Sequence, residues 1–104
     1  MLWYEYYQTL PKIRRHTLGK KIDALFIELM EAVNAGAFLP RDQKLPYVRL
    51  AIRKQDTLKL LLMVLWETKS LDTKKYGALS AQMNEIGKML GRWNGQISKT
   101  QPRS

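Results

Sequence analysis

The sequence predicts an all-α protein, an up-down antiparallel four-helix bundle of one domain. Apolar residues recur at steps of three and four over long stretches, and no stretch alternates as a strand does. A chain of 104 residues with 45% apolar residues matches one domain with one core. We expect helices at about residues 2–10, 17–35, 45–68 and 73–98, and a frayed tail at 99–104.

The first helix is predicted to be short, because it meets Pro11 and a helix interior tolerates proline poorly. Its aromatic residues allow stacking on unpaired bases, but the helical spacing of Trp3, Tyr7 and Leu10 favours a packed stripe. A basic linker, residues 11–16, follows. Thr17 is the predicted N-cap of the second helix.

The second and third helices carry different apolar patterns. The second has a broad stripe at period 3.6, and Gly36 is predicted to take the left-handed conformation at its end. The third starts near Pro46, which suits a first helical turn. Its second half, residues 58–66, is apolar nearly all round, with only Lys59 interrupting. Such a helix must be covered on every side, so we expect part of it to pack between subunits.

The last helix has an unbroken heptad seam and a second stripe of glycines, with Ser70, Asp72 or Thr73 able to cap its start. The stripe is Gly87, Gly91 and Gly95. Glycine costs about 1 kcal/mol relative to alanine inside a helix, so we expect another helix to approach that face closely. The seam consists of Tyr76, Leu79, Met83, Ile86, Leu90, Trp93 and Ile97. The predicted subunit interface consists of Leu61, Leu65, Trp66, Gly87, Leu90, Gly91 and Trp93.

The charge is strongly positive: 18 Lys and Arg face nine Asp and Glu, which gives +9. A basic domain of this size is typical of proteins that bind a polyanion, and cations of this kind contact phosphates without reading sequence. A solvated helix face is the alternative interpretation of the same residues. The predicted nucleic-acid-binding residues are Lys12, Arg14, Arg15, Lys20, Lys21, Arg49, Arg53 and Lys54.

The sequence contains few residues of the types that carry out catalysis. The chain has no cysteine and one histidine, His16, so thiol catalysis and a paired-histidine metal site are excluded. We expect no enzymatic activity, cofactor or metal. The longest apolar run, residues 60–66, is far shorter than the roughly 20 residues of a membrane span. No basic leader precedes an apolar run, so we expect no signal peptide and a cytoplasmic protein.

Three local strings resemble a known family. They are Leu-Pro-Lys-Ile-Arg-Arg-His-Thr-Leu-Gly at 10–19, Tyr-Val-Arg-Leu-Ala-Ile-Arg at 47–53 and Glu-Ile-Gly-Lys-Met-Leu-Gly-Arg-Trp at 85–93. They are similar to the four-helix-bundle proteins that include the accessory variability determinant of diversity-generating retroelements. Proteins encoded in intervening sequences of ribosomal RNA belong to the same group.

The resemblance implies a basic, non-enzymatic homo-oligomer, a pentameric barrel in the accessory-protein branch. It also implies two partners, the retroelement's reverse transcriptase and its template RNA or DNA. The family supplies no catalytic residues to carry over. The first alternative is a structural or protein-interaction bundle of the intervening-sequence type that binds no nucleic acid; an enzyme and a membrane-surface helix are weaker alternatives.

Overall fold

The protein is all-helical, as predicted. The computed structural model describes the backbone of residues 2–100 and the side chains of residues 2–98, and no strand occurs there. Residues 101–104 of the predicted tail lie outside the described residues. The elements are α1 (Leu2–Tyr7), α2 (Lys12–Arg14), a π-helical segment (Arg15–Gly19), α3 (Lys20–Ala37), a 3-10 turn (Arg41–Gln43), α4 (Leu45–Glu67) and α5 (Thr73–Thr100).

The three long helices form an elongated bundle in which α4 packs against both α3 and α5. Glu28 of α3 pairs with Lys54 of α4, and Gln55 of α4 bonds to Met83 of α5. Because short connections join these helices, each runs antiparallel to the next. The radius of gyration is 15.5 Å, against about 13 Å for a compact domain of this length. The bundle measures 51 × 21 × 20 Å, so its two ends are well separated.

The core follows the predicted seams. In α4 the buried residues recur at steps of three and four, and in α5 the seam residues are buried or half-buried. Burying one leucine fully contributes about 1.5–3 kcal/mol, so these two seams supply much of the stability. The buried α4 residues are Val48, Ala51, Gln55, Leu58, Leu62 and Leu65.

Helix α1 is a brief fourth helix that lies antiparallel to α3. Trp3 is fully buried; its ring stacks on Phe26 and meets the edge of Tyr7, with centroids 5.9 and 5.8 Å apart. Leu10 is also buried, which confirms the predicted packed stripe. Six residues span about 9 Å, whereas the 23 residues of α4 span about 35 Å. The fourth helix therefore covers only one end of the bundle.

The second helical segment begins earlier than predicted. Helix α2 starts at Lys12, because the carbonyl of Pro11 accepts bonds from the amides of Arg14 and Arg15 at 2.9 and 3.0 Å. The prediction of Thr17 as N-cap is therefore wrong. Thr17 lies inside the π-helical segment, and its hydroxyl donates to the carbonyl of Ile13 at 2.8 Å.

The prediction for Gly36 is also wrong in its reason. None of the described glycines has a positive φ, and Gly36 is a buried residue of α3. A Cβ there would lie 3.1 Å from Cη2 of Trp93 and 3.3 Å from Cβ of Tyr47. A side chain at this position would therefore crowd Trp93 and Tyr47, because α4 and α5 both approach the end of α3 closely.

The left-handed residue is instead Lys69, with φ 61°. The amide of Lys69 donates to the carbonyl of Trp66 at 3.0 Å, and the amide of Ser70 donates to that of Leu65 at 2.9 Å. This bond pattern is the Schellman motif, which usually holds glycine at the left-handed position. The motif lets the chain reverse within a few residues, and Asp72 then caps α5 by accepting a bond from the amide of Lys75 at 2.8 Å.

Lys69→Gly is expected to raise the free energy of unfolding by about 1 kcal/mol, because a residue with a Cβ is strained in this conformation. The midpoint of thermal unfolding, followed by circular dichroism, should rise by about 4–8 °C. Lys69→Ala is the control, since it removes the same charge but keeps the Cβ. Equal midpoints for the two variants would contradict the prediction.

Gly19→Ala is expected to lower the free energy of unfolding by about 1–3 kcal/mol. Its methyl group would lie 3.0 Å from the backbone oxygen of Arg14 and 3.0 Å from Cε2 of Tyr7. Gly77→Ala is the matched change in open space, since nothing lies within 4 Å of that position. It should stabilise α5 by about 0.5–1 kcal/mol. Urea denaturation of both variants measures the difference, and a stabilised Gly19→Ala protein would show that α1 yields to the added methyl.

Candidate nucleic-acid interface

The structure divides the predicted basic residues between two regions of the bundle. One region is the end that contains the C-terminus of α1, residues 12–21 and the connection between α4 and α5; we call it the α1 end. It holds Lys12, Arg14, Arg15, Lys20 and Lys21. The other region is the first half of α4. Lys54 of this region pairs with Glu28 of α3. Glu28 lies eight residues beyond Lys20, so the two regions are separated by about 12 Å along α3.

The α1 end gains further cations from the other side of the bundle. Lys69, Lys74 and Lys75 return to it because α4 and α5 are antiparallel. The Nζ of Lys75 lies 3.0 Å from the hydroxyl of Thr9 and 5.6 Å from the ring centroid of Tyr6. These lysines are not among the predicted binding residues, because no local signal in the sequence shows that they adjoin residues 12–21. Glu5, Asp23, Glu67 and Asp72 are the acidic residues nearest this end along the chain, so the cations outnumber them.

The cations of the α1 end differ in how freely they can reach a ligand. Lys12, Lys20 and Lys21 are exposed, whereas Arg14 and Arg15 are half-buried. The backbone oxygen of Arg15 accepts a hydrogen bond from the Tyr7 hydroxyl at 3.3 Å. The Nε of the Arg15 side chain is buried without a hydrogen-bond partner among the described residues. Arg15 therefore packs partly against the protein, and the lysines offer the more accessible charge.

The second region offers one pair of free cations on the outer face of α4. Arg49 and Arg53 are exposed one helical turn apart. Lys54 lies on the flank towards α3, where its Nζ is 3.2 Å from a carboxylate oxygen of Glu28. This ion pair partly neutralises Lys54, so Arg49 and Arg53 are the stronger candidates for phosphate contacts.

The residues predicted for a subunit interface have different positions within the protomer. Leu65 and Leu90 are buried in its own core; Leu61, Gly87 and Trp93 are half-buried; Trp66 and Gly91 are exposed. The Trp66 ring stacks on Tyr76 at 4.8 Å, and its Nε1 donates to the Thr73 hydroxyl at 3.1 Å. Trp66 therefore also closes the connection between α4 and α5.

Of the three glycines in the stripe, only Gly87 has a side chain of another helix close to it in the protomer. A Cβ at Gly87 would lie 3.0 Å from Nε2 of Gln55, which itself donates to the carbonyl of Met83 at 2.6 Å. The close approach at Gly87 therefore comes from α4 of the same protomer. Nothing lies within 4 Å of a Cβ at Gly91 or Gly95, so those positions form an open strip beside α4.

The described residues offer neither a metal-binding cluster nor a membrane-spanning helix. Among the described side chains, no three His, Asp or Glu residues come together in a way that could hold a metal ion. None of the described helices combines the length and the apolar character that crossing a bilayer requires.

Comparisons with protein-family models, with curated proteins and with solved structures returned no match. The family resemblance therefore depends on the three sequence strings alone. Two of these strings meet in the fold, since Tyr47 begins the second, Trp93 ends the third, and both contact Gly36. The first string covers the turn after α1, the π-helical segment and the cations beside it.

Proposed function

We propose that this protein is a non-enzymatic accessory protein of a diversity-generating retroelement. In this proposal it binds the reverse transcriptase and the template RNA or DNA in the cytoplasm during mutagenic retrohoming. It acts as an antiparallel four-helix bundle assembled into a homo-oligomer, a pentameric barrel in the family that it resembles. The proposal rests on the three strings and on one structural observation, the collection of cations from both sides of the bundle at the α1 end.

The proposed mechanism is assembly rather than chemistry. Exposed lysines at the α1 end and the arginine pair on α4 contact phosphates, which releases counterions and gives affinity without sequence preference. The rod shape supports this role, because two cationic regions at different levels can hold a strand along the bundle. Oligomerisation multiplies these contacts and so raises the overall affinity for a long template.

Charge reversal in either region should weaken binding to a fluorescein-labelled single-stranded RNA or DNA. The variants are Lys20→Glu/Lys21→Glu at the α1 end and Arg49→Glu/Arg53→Glu on α4. Each should lower the affinity by about tenfold or more and flatten the salt dependence, which is about −0.7 in log–log slope per phosphate contact for single strands. Fluorescence anisotropy at several salt concentrations measures both quantities.

The control for charge reversal is Lys59→Glu/Lys88→Glu, which makes the same change in net charge at exposed positions outside both regions. Equal weakening by all three double variants would mean that net charge alone acts. Absence of binding by the parent near physiological salt would remove the nucleic-acid function and favour the intervening-sequence type of interaction bundle.

Gly91→Leu is expected to reduce assembly while leaving the protomer folded. The protomer has open space at Gly91, so loss of assembly would report a contact between subunits. Light scattering after size exclusion should give a lower mass for the variant, with unchanged helicity. Gly77→Leu is the matched control, because Gly77 is exposed on α5 and also has open space but lies outside the predicted interface. A Gly91→Leu protein that assembles as the parent does would contradict the predicted interface.

A further inference from the structure

The bundle has an apolar groove between α3 and α5 at the end that α1 does not reach. The groove has a volume of about 670 Å³. Phe38 and Met89 on its walls are 83% and 54% exposed, which is unusual for large apolar side chains that lie close together. Its walls include Met30 and Val33 from α3, Phe38 directly after that helix, and Ile86, Met89 and Trp93 from α5.

The groove lies in line with α1, beyond the contact of Trp3 with Phe26. In an up-down bundle the first helix lies between the second and the fourth and runs antiparallel to both. Helix α1 takes this place only as far as Trp3 and Phe26, and the groove continues along the same line. From Met30 to Phe38 the groove extends about 12 Å, which is two turns of helix.

We propose that this groove binds an amphipathic helix of a partner protein, about two turns long and antiparallel to α3 and α5. Apolar side chains at i, i+3, i+4 and i+7 are the usual anchors in grooves of this kind. Met30 and Met89 suit such a ligand, because unbranched thioether side chains adapt to different partners. Outside the groove, α1 packs on α3 through an apolar stripe of this kind, with Trp3 stacked on Phe26.

Charge at the far end of the groove defines the partner helix further. The antiparallel direction places the N-terminus of that helix where α3 ends. The Nζ of Lys44 lies there, 5.9 Å from the ring centroid of Trp93, and donates to the carbonyls of Gly36 and Ala37 at 2.8 and 3.1 Å. Exposed Arg41 and Arg92 are near in sequence to Lys44 and Trp93. The partner helix should therefore carry acidic residues in its first turn, where its own dipole also favours them.

A second copy of this chain fits the groove poorly. Helix α4 has no acidic residue in its first turn, and Asp72 at the start of α5 is already bonded to the amide of Lys75. Asp23 in the first turn of α3 follows Lys20 and Lys21. Helix α1 carries Glu5 in its first turn, but its Trp3 is already buried against α3. A helix of another protein is therefore the better occupant. This inference does not depend on nucleic-acid binding, since the groove and the α1 end lie at opposite ends of the bundle.

The test uses a designed, fluorescein-labelled helical peptide with Leu and Trp at i, i+3, i+4 and i+7 and two aspartates in its first turn. The full chain should bind this peptide with a micromolar dissociation constant in an anisotropy titration. Met89→Lys should weaken binding by about tenfold, because it places a charge on the apolar wall. Leu60→Lys is the matched control, since Leu60 is 55% exposed and lies on α4 away from the groove.

Two peptide controls complete the experiment. A peptide with its apolar residues scrambled should not bind, and one with lysines in place of the aspartates should bind several-fold more weakly. Equal affinity for the scrambled peptide, or equal effects of Met89→Lys and Leu60→Lys, would overturn the proposal. Light scattering tests the other possible occupant, a second copy of this chain. If the parent forms a homo-oligomer that dissociates in Met89→Lys and persists in Leu60→Lys, the groove would be assigned to a second copy instead.

Discussion

The burial of α4 on two sides is the constraint on which the rest of the structure depends. Its buried residues recur at steps of three and four, so that one seam packs against both α3 and α5. Removing one buried leucine from such a seam typically costs 2–5 kcal/mol, because a cavity remains. Since α4 orients both neighbours, it also decides which cations share an end and where α3 and α5 form a groove.

The two ends of the bundle present different surfaces. At one end α1 covers the core with Trp3, and the chain then turns into a segment rich in cations. At the other end α3 and α5 keep apolar side chains on the surface. The bundle thus has a cationic surface at one end and an apolar surface at the other, and each surface can serve a different class of partner.

The parts of the fold that sequence could predict are those fixed by periodic burial. The α5 seam and the α1 stripe follow from spacing alone, since apolar residues three and four apart must share a face. Local backbone details did not follow. Thr17 looked like a cap because its residue type favours caps, but Pro11 had already begun the helix. Gly36 was predicted to be left-handed, yet its distinguishing feature is the close approach of Trp93, which is far away in sequence. The proximity of Lys75 to Thr9 has the same origin, because it arises only when α5 packs beside α1.

The contact between Gln55 and Gly87 has a consequence for the pairing of α4 and α5. Gln55 is the one buried polar residue of the described core, and a Cβ at Gly87 of the facing helix would crowd its amide at 3.0 Å from Nε2. If α5 were shifted by one helical turn, Gly91 would take the position of Gly87 opposite Gln55. The glycines alone would therefore allow this incorrect alignment. The apolar seam would then face the wrong neighbours, because its alternating steps do not repeat after four residues. The correct alignment of α5 along α4 therefore depends on both features. The glycines allow α4 to approach α5 closely, and the apolar seam determines which of the possible alignments forms.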